Sequence, residues 1–380
     1  MNPIRGEEAS LGREPRPGTP VTERSLLFAV ARPQLFCLIC PMQFGLFGGA
    51  RSKGEGPIGD SQGYLDYIAY VREAEELGFR SVFVVEHHFT GVGQVSASLG
   101  LLSYLAACTQ RIRLGTAVVV LPWHNPVLVA EAAATVDLLS NGRLEFGVGK
   151  GYRDQEFSGF CVPMAEATER FDEAMDVIRK AWTSNGRFSH HGKRWHYENV
   201  VVEPTPTQRP HPPFWLGAGS EESIRRAARE GYNLLLDQIA PCDLTIERVA
   251  MFRDECVRAG RAYDPTMVGT TRGLQLVLSA AEREKALAVR MSMLKNIGSL
   301  ARGPGAERYA QLKDYSGPPI EFDDAPLLGT PDEIIARLKK LEAGGVEHIL
   351  LVDPSGSTET LRIFAKEVMP AFAKSRAQVA

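Results

Sequence analysis

A closed parallel barrel of eight strand-then-helix units is the fold this sequence predicts, and three observations predict it. Apolar runs of strand length alternate with helix-length amphipathic stretches from about residue 34 to the end of the 380-residue chain. Those runs are continuous, not alternating, so both strand faces are covered, as in a parallel sheet walled by helices. The units number eight, which favours a (β/α)8 barrel over an open doubly wound sheet.

Taken in order, residues 1–33 are rich in Gly, Pro, Glu and Arg and lack periodicity. They read as a flexible extension before one barrel domain over 34–380. The run QLFCLIC at 34–40 reads as the first strand, followed by a Gly-rich loop. Tyr64, Leu65, Ile68, Ala69 and Leu77 then recur at helical spacing, and Gly78 supplies the stop. Residues 79–85 form the next strand and 96–108 a helix of small residues. After a strand at 112–121, Asn125 caps a helix that begins with Pro126 and ends at Asn141-Gly142. The strand at 144–149 leads to a long amphipathic helix over 165–182. The pairs 214–217 with 220–230, 232–236 with 243–259, and 267–278 with 281–297 continue the rhythm. A helix at 330–343 is added before the last pair, 346–352 with 359–372.

Two stretches break the pattern. Residues 185–213, containing FSHHGKRWHYENVVVEP, read as a surface hairpin and a Pro-rich approach to the fifth strand. Residues 298–328 read as a long irregular loop that closes over the active site.

Composition narrows the partners. A net charge of −3 with no basic stripe gives no footprint for nucleic acid. No apolar run approaches the ~20 residues a bilayer-spanning helix needs, and the N-terminal stretch has no apolar core of a signal peptide. Six scattered cysteines show no disulfide framework, which fits a reduced, cytoplasmic protein. Cys37 and Cys40 are a C-x-x-C inside an apolar run and read as buried strand thiols.

In such a barrel the chemistry sits at the strands' C-terminal ends. Glu86-His87-His88 closes the second strand there. A single histidine at that place is by default structural. No third His, Asp or Glu stands nearby at ligand spacing to make the pair a metal site. Successive strand residues face opposite ways, so only one of the two imidazoles enters the mouth. The third strand offers small residues at Gly115, Thr116 and Ala117, where something flat can approach the backbone. The fourth ends in Gly147-Val148-Gly149-Lys150-Gly151-Tyr152, and the fifth in Gly217-Ala218-Gly219-Ser220 opening into a helix. Lys150 beside the Ser220 helix terminus would make a phosphate cradle.

These stretches, with Leu121-Pro122, Ala130-Glu131, Asp137 to Arg143 (DLLSNGR) and Glu203-Pro204 through Pro213, resemble the bacterial luciferase-like flavin monooxygenases. The resemblance runs from about 34 to the end and is strongest over 78–235. It implies a barrel that binds reduced FMN (FMNH2) at the strand C-termini and uses O2 to oxygenate a small organic substrate. It also implies a separate NAD(P)H flavin reductase as partner, and a homodimer formed through helices early in the barrel. Matched position by position, His87 is the active-site histidine beside the flavin and His88 its neighbour. Thr116 and Ala117 fall at the flavin, with Ala117-Val118 where relatives often have a non-proline cis peptide. Lys150, Gly151, Tyr152, Ala218, Gly219 and Ser220 fall in the cofactor and phosphate cradle.

There are departures. Lys150 stands where many members carry arginine, Gly219 where a hydroxyl is common, and Gly149 where light-emitting members carry a reactive cysteine. Phe89, Trp123, Phe157, Gln238 and the 298–328 loop are the expected pocket wall. Two other readings stay open: a deazaflavin-dependent hydride-transfer oxidoreductase of the same superfamily, and a non-catalytic flavin-binding protein. Glu86-His87-His88-Phe89 favours oxygenation over the first, and the intact His87 and long loop argue against the second.

Overall fold

Eight parallel strands close on themselves in the computed structural model, which describes residues 42–53, 56–91, 95–300 and 324–373. The ring is made of β1 (Gln43–Gly48), β2 (Ser81–Val84), β3 (Arg113–Thr116), β5 (Leu144–Gly149), β8 (Phe214–Gly217), β9 (Asn233–Leu236), β10 (Val268–Leu276) and β12 (His348–Val352). Every neighbouring pair is parallel, and β12 joins β10 to β1 to close the circle. Two short strands lie off the ring: β4 (Val119–Val120) pairs with the end of β5, and β11 (Leu327–Gly329) pairs with β10. The expected hairpin is β6 (Phe188–His191) against β7 (His196–Val200). The helices are α1 (Gly56–Glu76), α2 (Ser98–Cys108), α3 (Pro126–Leu139), α4 (Asp154–Gly159), α5 (Ala167–Thr183), α6 (Glu221–Arg229), α7 (Cys242–Arg258), α8 (Ala280–Leu300), α9 (Pro331–Ala343) and α10 (Thr358–Ile363).

The continuous apolar runs do what their pattern requires. All six residues of β5 are buried, because one face fills the barrel and the other lies under helices. Phe83, Trp215, Leu235 and Leu350 fill the interior, with the Phe83 and Trp215 rings edge to face at 5.2 Å. Below them Trp215 Nε1 donates to Glu145 Oε2 at 2.6 Å, and Arg113 pairs with the same carboxylate. His348 meets the Ser81 hydroxyl at 3.0 Å, and full burial pushes its pKa down to about 4. The floor of the barrel is thus plugged by satisfied polar groups, and the chemistry is left to the opposite end.

Caps appear where they were anticipated. Asn125 Oδ1 accepts from the Val127 and Leu128 amides, with Pro126 at the first helical position.

Three expectations need correction. The barrel's first strand is Gln43–Gly48, inside what was read as a Gly-rich loop. The run at 34–40, with Cys37 and Cys40, lies outside the described residues, as does the 1–33 extension. Of the loop expected at 298–328, α8 runs on to Leu300 and β11 takes Leu327 and Leu328, while 301–323 lie outside the described residues. The closing helix expected over 359–372 is α-helical only to Ile363, continues as a π-turn over Phe364–Val368 and ends as a 3-10 turn over Met369–Phe372. Pro370 lacks the amide that a regular last turn would use. Among the described residues no helix is long and apolar enough to cross a membrane.

Candidate active site

The upper rim of the barrel is short of side chains. Counting by twos from the interior residues Glu145, Trp215 and Leu350 brings Gly147 and Gly149 on β5, Gly217 on β8 and Gly273 on β10 to the lumen. Ala117 and Val118 pack on the interior cluster from the β3 side, and the peptide between them is cis. A Cβ on Gly149 would come within 2.5 Å of Val118 Cγ2, so β5 passes the cis peptide as bare backbone. A Cβ on Gly273 would lie 3.6 Å from Gln238 Oε1, a buried oxygen with no hydrogen-bond partner.

Thr116 explains why the wall splits here. Its hydroxyl donates to Gly147 O at 2.7 Å and accepts from Gly147 N at 2.9 Å. The side chain thereby stands in for one step of the β3–β5 ladder, which resumes as β4 against Val148 and Gly149. Thr116 is fully buried, so it reaches the site through this break and not by an exposed hydroxyl.

β2 ends at Val84, short of the histidines, so strand alternation does not reach them; Glu86 and His88 bond to each other, and His87 has other partners. Glu86 is 4% exposed, and one oxygen, Oε1, receives three donors: His124 Nε2 at 2.8 Å, His88 Nε2 at 3.1 Å and Trp123 Nε1 at 3.1 Å. Burial alone would raise its pKa, but the hydrogen bonds from His124, His88 and Trp123 outweigh it and hold the carboxyl at about 2. The His88 ring lies edge-on to Phe160 at 4.7 Å, and Trp123 stacks on Phe160 at 5.2 Å. His88 is therefore part of a wall. His87 instead sits between Glu156, whose Oε1 is 3.1 Å from Nδ1, and Arg153, whose Nη2 is 3.2 Å from Nε2. Desolvation, with the Arg153 charge, lowers its pKa against the pull of Glu156 and Glu86.

The phosphate-cradle residues are placed less tightly. Lys150 is exposed and donates to Thr168 Oγ1 at 3.4 Å. Gly151 turns the chain at φ +76°, where a Cβ would meet Val120 and Phe157, so glycine is required twice over. Tyr152 is largely exposed, with the Arg153 guanidinium over its ring at 5.6 Å. Ala218 N donates to Leu235 O. Ser220 caps α6 by accepting from Ser223 N, and Ser223 Oγ accepts in turn from the Gly219 and Ser220 amides. The amides expected for a phosphate thus face a movable hydroxyl, and no direct contact joins Lys150 to Ser220.

Glu156, Arg153 and His124 were missed by pattern reading. The first two lie on or beside a six-residue helix with no periodic stripe, which offers no signal. His124, adjacent to the anticipated wall residue Trp123, was readable only as a loop histidine. Among the described residues no cluster of His, Cys, Asp and Glu is arranged to hold a metal ion.

The closed ring of eight parallel strands with helices between them is the barrel of luciferase-like proteins. The chain belongs to the luciferase-like monooxygenase family, whose model matches residues 42–348. Among curated relatives it is similar to the oxygenase component of the flavin-dependent trigonelline monooxygenase of Acinetobacter baylyi, 28% identical over 63% of this chain and 70% of that one. It is also similar to the FMNH2-dependent dimethylsulfone monooxygenase of Pseudomonas putida, 27% identical over 61% of this chain and 66% of that one. A further curated match, 37% identical over 98 residues, spans 28% of its relative's length. Among solved structures, monooxygenase RslO1 of Streptomyces bottropensis superposes with a TM-score of 0.75 at 25% identity, over 87% of this chain and all of that one. An F420-dependent secondary alcohol dehydrogenase shares the fold at 17% identity, over 88% of this chain and 100% of that one, with a TM-score of 0.69.

Proposed function

We propose that this chain is the oxygenase component of a two-component system, using FMNH2 and O2 to oxygenate a small organic substrate. A separate NAD(P)H flavin reductase supplies the reduced cofactor, and the reaction runs in the cytoplasm, where that reductant is available. The observation that carries the reading is the side-chain-free rim: bare backbone at Gly149, Gly217 and Gly273, with the unpartnered Gln238 oxygen beside Gly273. That surface fits a flat ring carrying N–H groups. When bound there, reduced FMN supplies the electrons for O2 activation. The chain supplies position, dryness and a proton site. Ala117 and Val118 would lie against the ring, and Gln238 Oε1 would offer an acceptor to a ring N–H. Thr116 keeps the wall split, Gly151 and Tyr152 shape the entrance, and Trp123, Phe157, Phe160 and Phe89 form an aromatic wall that excludes water. His87, partly buried and with a lowered pKa, takes up and returns a proton at Nε2. The relatives named as flavin-dependent and FMNH2-dependent monooxygenases favour this reading over deazaflavin chemistry, since the F420-dependent neighbours testify to the fold alone.

The phosphate end tests the reading. Lys150, Ala218, Gly219 and Ser220 lie at adjacent strand ends, and a phosphate can displace Ser223 Oγ from the amides it occupies. Titrating FMN and riboflavin separately should show Lys150→Ala weakening FMN by about tenfold while riboflavin is unchanged. That is the low end for a charge-assisted bond, because Lys150 is exposed. Equal weakening of both flavins removes the cradle assignment, and no binding of FMN by the parent removes the function. Activity is sought with an added reductase, NADH and O2, reading a product heavier by one oxygen atom.

The exposed residues of α2 and α3 support a homodimer formed through these helices. Tyr104 on α2 and Leu128 and Leu139 on α3 are 57%, 64% and 59% exposed, and Ala132 lies between the last two on the same stripe. A mainly apolar outer stripe on two adjacent helices, interrupted by the partly exposed Glu131, fits a second copy of this chain. Sedimentation should show a dimer at micromolar concentration, and Tyr104→Arg with Leu128→Glu should yield monomers. A monomeric parent would end the proposal.

A further inference from the structure

His87 has two neighbours of opposite chemistry, brought in by the segment after β5. Gly151 reverses the chain, Arg153 comes back over the imidazole, and the first turn of α4 puts Glu156 against its other edge. Glu156 is 2% exposed, and its Oε1 also accepts from His88 N at 3.0 Å, so the carboxylate is fixed from two directions. An ionised carboxylate only accepts hydrogen bonds, so the ring nitrogen it meets, Nδ1, carries a hydrogen. A guanidinium only donates, so the nitrogen it meets, Nε2, presents its lone pair.

We propose that Glu156 and Arg153 are positioning residues that hold His87 as the neutral Nδ1–H tautomer, with Nε2 poised as the proton acceptor. The proposal rests on the reading of His87 as the proton-handling group of the flavin site. It goes further in assigning which nitrogen works and which side chains decide that.

The surroundings agree. From its own segment His87 faces Glu86 and His88. From the turn after β4 come Trp123 and His124, both spent on Glu86. From the β5–α4 segment come Arg153 and Glu156. Among the described residues the cation touching the ring is Arg153, whose nearest approach to Glu156 is 3.8 Å, and whose Nε is buried without a partner. When Nε2 takes a proton from a bound X–H group, it no longer has a lone pair for Arg153. The imidazolium is then balanced by Glu156, and the freed Nη2–H of Arg153 can donate to the X⁻ left behind. One proton moves and no net charge is created. Arg153 therefore changes partner when His87 changes state.

The test reads the tautomer itself, without flavin. In protein labelled with 15N histidine, long-range 1H–15N spectra separate Nδ1–H, Nε2–H and imidazolium forms, and a His87→Gln variant identifies the His87 signals. The parent should show the Nδ1–H form at pH 7.5 and stay neutral to below the ordinary histidine pKa of about 6.5. Glu156→Gln keeps size but adds an N–H donor facing Nδ1, so an Nε2–H population should appear. Arg153→Gln should leave Nδ1–H in place and raise the pKa, because the neighbouring charge is gone. An Nε2–H or imidazolium parent at pH 7.5 overturns the proposal, as does a folded Glu156→Gln protein with an unchanged tautomer. The parent spectrum decides even if that variant does not fold. Failure of FMN to bind would sink the functional reading and leave this result standing. FMN binding with the wrong tautomer would sink only the relay.

Discussion

His87→Ala is expected to lower product formation by about 10²–10⁴, the usual cost of losing a positioned acid/base group, while FMN still binds and the fold is kept. Oxygen consumption should continue and appear increasingly as hydrogen peroxide. The reason for expecting an intact fold is that the His87 side chain holds no strand in place. Its backbone amide still donates to Val95 O at 2.9 Å. Glu156, released from the ring, keeps the His88 amide and already lies 3.8 Å from Arg153, so neither buried charge is stranded. The measurement is the ratio of product to oxygen consumed, with FMN affinity and melting temperature alongside. A variant that couples oxygen to product as well as the parent would make the imidazole a structural group.

Glu86→Ala should do the reverse, costing roughly 3–5 kcal/mol of stability, because it leaves two imidazoles and an indole with unmet donors around a buried hole. The same residue should make the protein acid-sensitive in a defined window. With its folded pKa held at about 2, below the value of roughly 4.3 in the unfolded chain, the unfolded state binds more protons between them. Its contribution is therefore complete above about pH 4.3 and is lost as pH falls toward 2, amounting to about 3 kcal/mol. Glu86→Gln keeps an acceptor but cannot titrate, so its denaturation midpoint should fall less steeply with acid than the parent's. Equal acid slopes in the two proteins would place the sensitivity elsewhere.

Most of the barrel was readable because covered strands have to be apolar throughout. The strands at 144–149 and 214–217 emerge with the bounds their runs predict. The first strand was not readable, for a steric reason. Gly45 faces the crowded floor, where a Cβ would fall 2.2 Å from Ser81 Oγ and 2.8 Å from Leu350. Glycine is obligatory there, and it makes QFGLFG look like a loop beside the more apolar QLFCLIC upstream.

At the site, Glu86, His87 and His88 were legible because polar residues closing a buried run stand out. His87 and His88 have different partners, although β2 stops at Val84 before either of them. Arg153 and Glu156 carry no such mark. They matter through a turn that only the folded chain brings over β2, on a helix too short to show a period. Lys150 and Ser220 were legible as types, yet each has found a nearer protein partner in Thr168 and Ser223.

The segment that follows β2 bears on how this protein can diverge. Residues 86 and 88 bond to each other and hold the surrounding loops, and residue 87, on the proposed reading, is the one that meets the reacting groups. A lineage, or a randomised library, can therefore vary position 87 and explore new reactivity on a scaffold whose anchors are untouched. Changes at 86 or 88 would instead be screened out before any chemistry was sampled. Adjacent codons would carry separate selective pressures, one filtered by turnover and the others by survival of the fold.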